Sequence, residues 1–169
     1  MARWHRNRSA STLLRSLVSL RQDDLAELAN RAEQHGVDLT RPMLLILVEM
    51  DGPRAGYAAQ RFGSLMPLSH VLADDIDGVL VVLCGASAAP EVRQTVSACM
   101  RQQLHAVHRG VLSRPVSGPA EIPALYATLR RALTVLGRIG VHGQIVGQNE
   151  LALYSTLFET HTRTTKTSP

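Results

Sequence analysis

The sequence predicts a mixed α/β fold, a single sheet with helices packed on it. Three observations predict it. Residues 43–50, MLLILVEM, form a nearly continuous apolar run, the pattern of a central strand buried on both faces. Asp77-Gly78, a strong turn dipeptide, separates two apolar runs and marks a β-hairpin. Ile122, Leu125, Leu129, Ala132, Leu133 and Leu136 recur at three- and four-residue steps, which puts them on one buried face of a long helix.

The elements follow in order. Residues 1–10 are polar and basic and are expected to be loose. Ser11 to Leu20 reads as a helix, with Leu13, Leu14, Leu17, Val18 and Leu20 on a broad apolar stripe. Asp23-Asp24 caps a second helix, Asp24 to Gln34, with Leu25, Leu28, Ala29 and Ala32 facing inward and Gly36 as its stop. Residues 37–42 are a linker to the first strand, and Asp51-Gly52-Pro53 is a turn after it. Ala55 to Met66 carries a weak helical pattern through Tyr57, Phe62, Leu65 and Met66. Strands are expected at Ser69–Ala73 and Val79–Cys84, joined by a loop over residues 74–78.

A helix is expected from Glu91 to His108, burying Val92, Val96, Cys99, Met100, Leu104 and Val107. Val111 to Ser113 reads as a strand that Pro115 ends, because proline cannot donate to a sheet ladder. Ser117 is placed to cap the long helix and Pro119 and Glu121 suit its first turn, with Gly137 and Gly140 as stop signals. A short strand, Gln144–Val146, and a helix through Leu151, Leu153, Leu157 and Phe158 close the chain, and residues 159–169 read as a disordered tail. This order of strands and helices around a hairpin fits a ferredoxin-like α/β sandwich preceded by two N-terminal helices.

Composition narrows the function. A chain of 169 residues, 45% hydrophobic and only 4% aromatic, builds one domain with an aliphatic core, placed here at residues 11–158 with 11–36 as its helical lead-in. Residues 1–21 hold five arginines and no acid, whereas residues 22–162 hold all 14 acids against 11 arginines. The basic pI of 9.7 therefore comes from the ends, and the body is slightly acidic, which argues against a nucleic-acid footprint on the core. The arginine-rich N-terminus keeps a phosphate-binding alternative open. Cys84 and Cys99 have no zinc-type spacing and read as buried small hydrophobes. With no signal peptide and no apolar run of membrane-spanning length, a reduced, cytoplasmic setting is expected.

The residue types that carry chemistry are few. Glu49, Asp51, Asp75 and Asp77 are expected near one sheet edge, where carboxylates could serve a hard cation or proton transfer, or simply the turn. His105 and His108 fall three apart late in the expected helix, as a ligand pair or as helix-end residues suited to the dipole. His35, His70 and His142 flank turns. Arg130, Arg131 and Arg138 lie off the buried face of the long helix, as a solvated face or an anion-binding arginine pair. No nucleophile elbow, phosphate-binding loop or dinucleotide fingerprint is present, and neither a catalytic site nor a cofactor is expected.

Four segments in the same order resemble the GGDEF-like middle domain of PucR/CdaR-type bacterial transcriptional regulators. They are Asp24–Ala29 through Gly36–Pro42, Asp77–Leu83, Ser117–Glu121 with Tyr126, Arg130, Arg131 and Ala132, and Gly143–Tyr154. The resemblance covers residues 11–158. It implies a non-catalytic regulatory and dimerisation domain that senses a small molecule or a partner protein. It also implies that DNA is contacted only through a helix-turn-helix domain, which is expected to be absent from this chain. Active diguanylate cyclases carry a Gly-Gly-Asp/Glu-Glu-Phe loop at the hairpin; here it reads Asp75-Ile76-Asp77-Gly78-Val79, without the paired glycines. A remnant or active cyclase binding GTP and magnesium through Asp51, Asp75 and Asp77 is the alternative.

Overall fold

The computed structural model describes residues 2–19, 24–50, 57, 61, 70–104 and 107–153. Five strands form one sheet in the order β2-β3-β1-β4-β5: β1 is Met43–Met50, β2 Val71–Ile76, β3 Val79–Gly85, β4 His108–Leu112 and β5 Gln144–Gly147. The β2–β3, β3–β1 and β1–β4 pairs are antiparallel and β4–β5 is parallel. The first four strands thus have the ferredoxin-like arrangement, extended by one parallel strand. β1 lies in the middle, as its apolar run requires: Met43 to Val48 are all buried.

The sheet separates two apolar layers. One face, with Leu45, Leu47, Leu72, Val81, Leu83, Val111 and Val146, packs against α1 (Ala2–Val18), α2 (Leu25–Gln34) and α4 (Ile122–Arg138). The other, with Leu44, Ile46, Val48, Leu80, Val82, Cys84 and Ile145, packs against α3 (Ala89–Ala98) and the π-helical turn Cys99–Leu104 that continues it. Alternate residues of each strand supply the two layers, the period of two expected of pleated chains. At Gly110 the layers leave no room for a side chain: an added Cβ would stand 2.9 Å from Ile145 Cγ1 and 3.1 Å from the Leu47 carbonyl oxygen.

Helix ends follow local chemistry. Asp24 caps α2, its carboxylate accepting from the Ala26 N–H at 2.9 Å. The same helix closes with Gly36 N–H to the Glu33 carbonyl and Val37 N–H to the Ala32 carbonyl, both 2.9 Å, a Schellman arrangement with Val37 and Ala32 buried together. α4 closes in the same way through Gly140 and Val141.

Several expectations need correction. α1 begins at Ala2, so residues expected to be loose are helical from position 2. Leu25 sits at the N-terminal edge of α2 and is 40% exposed, while Leu28 and Ala32 are buried as expected. β2 runs on to Ile76 and takes in Asp74 and Asp75, so the hairpin loop shrinks to the two residues Asp77 and Gly78. The helix expected to reach His108 gives way earlier: α3 ends at Ala98, the π-helical turn is described as far as Leu104, and β4 starts at His108. Val107 is accordingly 53% exposed and not part of a buried helix face. The Ser117 side chain does not cap; its backbone N–H instead donates to the Glu121 carboxylate at 3.1 Å, and a 3-10 turn, Pro119–Glu121, leads into α4. Gly137 is the penultimate residue of α4, and the glycine that turns the chain out of the helix is Gly140, at φ 76°. Tyr57 and Arg61 are helical, and the rest of the weak helix at 55–66 lies outside the described residues. Residues 148–153 begin the expected closing helix, with Leu151 packed on the core and Leu153 67% exposed.

Candidate functional site

The end of the sheet carrying the hairpin turn gathers most of the charged groups the fold partly encloses. Asp77 and Gly78 form the turn with φ of 52° and 80°. Two successive left-handed residues are what a two-residue type I′ connection requires, and Asp and Gly are among the few residues that adopt them readily. Asp75 fixes the turn from below, its carboxylate accepting from the Gly78 N–H at 3.0 Å. Asp74, on the opposite face of β2, reaches α1: it accepts from the Ser11 hydroxyl and pairs with Arg15 Nε at 3.4 Å. Arg15 also donates from Nη2 to the Asp75 carbonyl oxygen at 2.8 Å, which satisfies a backbone acceptor beside the turn.

Two strands away, Glu49 stands opposite Val79 on one side and Arg109 on the other. Arg109 Nε donates to Glu49 Oε2 at 3.0 Å, and the guanidinium lies over Gly137 of α4, whose absent Cβ would meet Nη1 at 3.2 Å. On α4, Tyr126 and Arg130 are one turn apart, with the guanidinium carbon 6.0 Å from the ring centroid. Burial pushes the Tyr126 phenol above its usual range; Arg130 pulls it back, Asp77 adds to the rise, and Arg15 opposes it. These influences tie α1, the hairpin and α4 into one electrostatic neighbourhood.

The four acids read from the sequence are thus only partly brought together. Asp75 and Asp77 share the hairpin, Glu49 is separated from the turn by Val79 and paired with Arg109, and Asp51 lies outside the described residues. Among the described residues no group of three or more His, Cys, Asp and Glu side chains is placed to hold a metal ion. The histidine pair does not form on a helix: His108 is the first residue of β4 and 3% exposed, and His105 lies outside the described residues. His35 is buried at the end of α2, and His70 and His142 are exposed. Arg131 and Arg138 are exposed, whereas Arg130 is half-buried beside Tyr126. Cys84 and Cys99 are buried, as expected, and burial pushes the Cys84 thiol up to about 12.

Sequence reasoning missed Asp74, Arg15, Ser11 and Arg109. Asp74 falls in the expected loop, and its meeting with Ser11 and Arg15 of α1 depends on β2 continuing to Ile76. Arg109 shares a face of β4 with Val111, a placement that follows only once the strand is started at His108. Chemically, the end of the sheet holds three acids engaged by donors of the same chain, Glu49, Asp74 and Asp75, beside a Tyr–Arg pair on α4. No described helix is long and apolar enough to cross a membrane. A search of curated proteins finds no match. The model of the GGDEF-like domain family matches residues 19–135, running from before α2 to the last turn of α4. That match takes in more than two thirds of the sequence, and the chain belongs to the GGDEF-like domain family.

Proposed function

We propose that this GGDEF-like domain is non-catalytic and serves as the regulatory and dimerisation domain of a PucR/CdaR-type transcriptional regulator, acting in the cytoplasm. One observation carries the reading. Of the acids the cyclase alternative would use, Asp75 at this hairpin is engaged by the Gly78 N–H, and the neighbouring Glu49 and Asp74 are held by Arg109 and by Ser11 and Arg15. A carboxylate held by an arginine or a backbone N–H has to give up that partner before it coordinates a cation. The two-residue turn also lacks the paired glycines that let a nucleotide approach the backbone. The domain then works through association and ligand or partner sensing, and DNA is reached through a helix-turn-helix domain.

Incubation with GTP and magnesium, followed by product analysis, tests the non-catalytic part: no turnover is expected, and a cyclic or pyrophosphate product would refute it. Light scattering at tens of micromolar tests the dimer, and a monomeric mass would remove that part.

A further inference from the structure

Two polar atoms on α4 are buried without a hydrogen-bond partner: Tyr126 Oη and Arg130 Nη1. Such atoms lose their hydration and gain nothing in exchange, and buried polar groups in folded proteins are nearly always matched by a protein group, a water or a bound molecule. Both are donors here. A guanidinium can only donate, and a phenol kept protonated by its burial has its O–H to give. They sit together on one turn of α4, with the Arg130 guanidinium stacked toward the Tyr126 ring. The other cation that acts on Tyr126, Arg15, is already used, bound to Asp74 and to the Asp75 carbonyl. What the pair lacks is therefore an acceptor.

We propose that Tyr126 and Arg130 form a binding site for a carboxylate, carried by a small organic acid, on the side of α4 that faces α1 and the hairpin. A carboxylate presents two coplanar acceptor oxygens on one negative charge, which matches one phenolic O–H and one guanidinium N–H. The surrounding charge selects it over phosphate. Arg130 and Arg15 act on Tyr126 together with one carboxylate, Asp77, and inorganic phosphate, partly a dianion at pH 7, meets more repulsion from that carboxylate than a monoanionic carboxylate does. The site gives the regulatory reading a ligand class, and rests on that reading only for its biological consequence, not for its chemistry.

The test is thermal unfolding of the full chain at pH 7 and matched ionic strength in chloride, acetate, benzoate or inorganic phosphate. A carboxylate at about five times its dissociation constant raises Tm by roughly 2–4 °C over chloride. The rise is expected with acetate or benzoate, to be smaller or absent with phosphate, and to vanish in Tyr126→Phe and in Arg130→Gln. Without any carboxylate, Tyr126→Phe is expected to melt at or above the parent, because the hydroxyl it removes has no partner. Flat melts with both carboxylates, a larger rise with phosphate, a rise that survives both substitutions, or a ligand-free Tyr126→Phe that melts several degrees lower would each overturn the site. A chain that dimerises and turns over no GTP yet gives flat melts loses this site and keeps its regulatory reading; one that binds carboxylates but stays monomeric keeps the site and loses the dimer.

Discussion

Arg109 faces Glu49 directly across the β1–β4 pair, and the same guanidinium that donates to Glu49 at 3.0 Å also covers Gly137 of α4. One arginine thereby joins the sheet to the helix that packs on it. Its side chain is 20% exposed and that of Glu49 is 43% exposed, so water screens the pair and its charge coupling belongs with surface ion pairs, about 1 kcal/mol or less. The packing role is the better-defined one. Gly137 has helical backbone in the last turn of α4, where alanine gains up to the roughly 1 kcal/mol it gains over glycine in a helix interior. Here the new methyl would stand 3.2 Å from Arg109 Nη1, and the guanidinium must give by a few tenths of an ångström to admit it.

The first prediction is a coupling. Gly137→Ala is expected to be close to neutral in the parent chain and to stabilise by about 0.5–1 kcal/mol in an Arg109→Ala background. Urea unfolding of the two single variants and the double variant measures it. Equal effects of Gly137→Ala in both backgrounds would show that Arg109 does not occupy the space over the glycine.

The hairpin separates a structural role for Asp77 from a chemical one. Its φ of 52° and the 80° of Gly78 place both residues in the left-handed region, and nothing lies within 4 Å of the Cβ that Gly78 lacks. Substitution there is therefore opposed by backbone conformation alone, at roughly 1 kcal/mol for Gly78→Ala and about 1–2 kcal/mol for the β-branched Asp77→Val. Asp77→Asn keeps a residue that tolerates this conformation while removing the charge, and is expected to leave stability unchanged within about 0.5 kcal/mol. Melting temperatures of the three variants decide it, at about 2–4 °C per kcal/mol for a chain of this size. A large loss in Asp77→Asn would mean that the carboxylate itself, and not the turn, holds this end of the sheet.

The strands were legible wherever a continuous apolar run is what burial on both faces demands, as at Met43–Met50 and Val79–Gly85. α4 was legible because its three-and-four spacing is long and uninterrupted. The start of β4 was not: His108, Arg109 and Gly110 show no apolar alternation, since the glycine takes the place where Ile145 and Val48 press in. The start of α1 was not either, because residues 2–10 carry arginines and no apolar period. The candidate site was the least legible part. Glu49 and Arg109 are 60 positions apart, and Ser11 and Asp74 are 63 apart, so their meeting depends on strand register and helix docking, which no local pattern encodes. Tyr126 and Arg130 were visible as neighbours one turn apart, but not as atoms buried without partners.

The last prediction concerns alkaline stability and follows from the buried thiols. Cys84 is 0% exposed in β3, and burial raises its pKa from 9.0 to about 12; burial also raises Cys99. A folded pKa above the unfolded one means that between these values the native chain holds a proton that the unfolded chain has released. The stabilisation is complete below pH 9 and is lost as pH rises toward 12. At pH 10, one unit above the unfolded value, the loss from Cys84 alone is about 1.4 kcal/mol. Cys84→Ala removes the titrating group, so although this variant starts from a less well packed core, its stability is expected to fall less between pH 8 and pH 10 than that of the parent. Urea unfolding at the two pH values, compared as differences within each protein, gives the answer. Equal losses in parent and variant would mean that the Cys84 thiol titrates normally in the folded chain and is open to solvent more often than its burial implies.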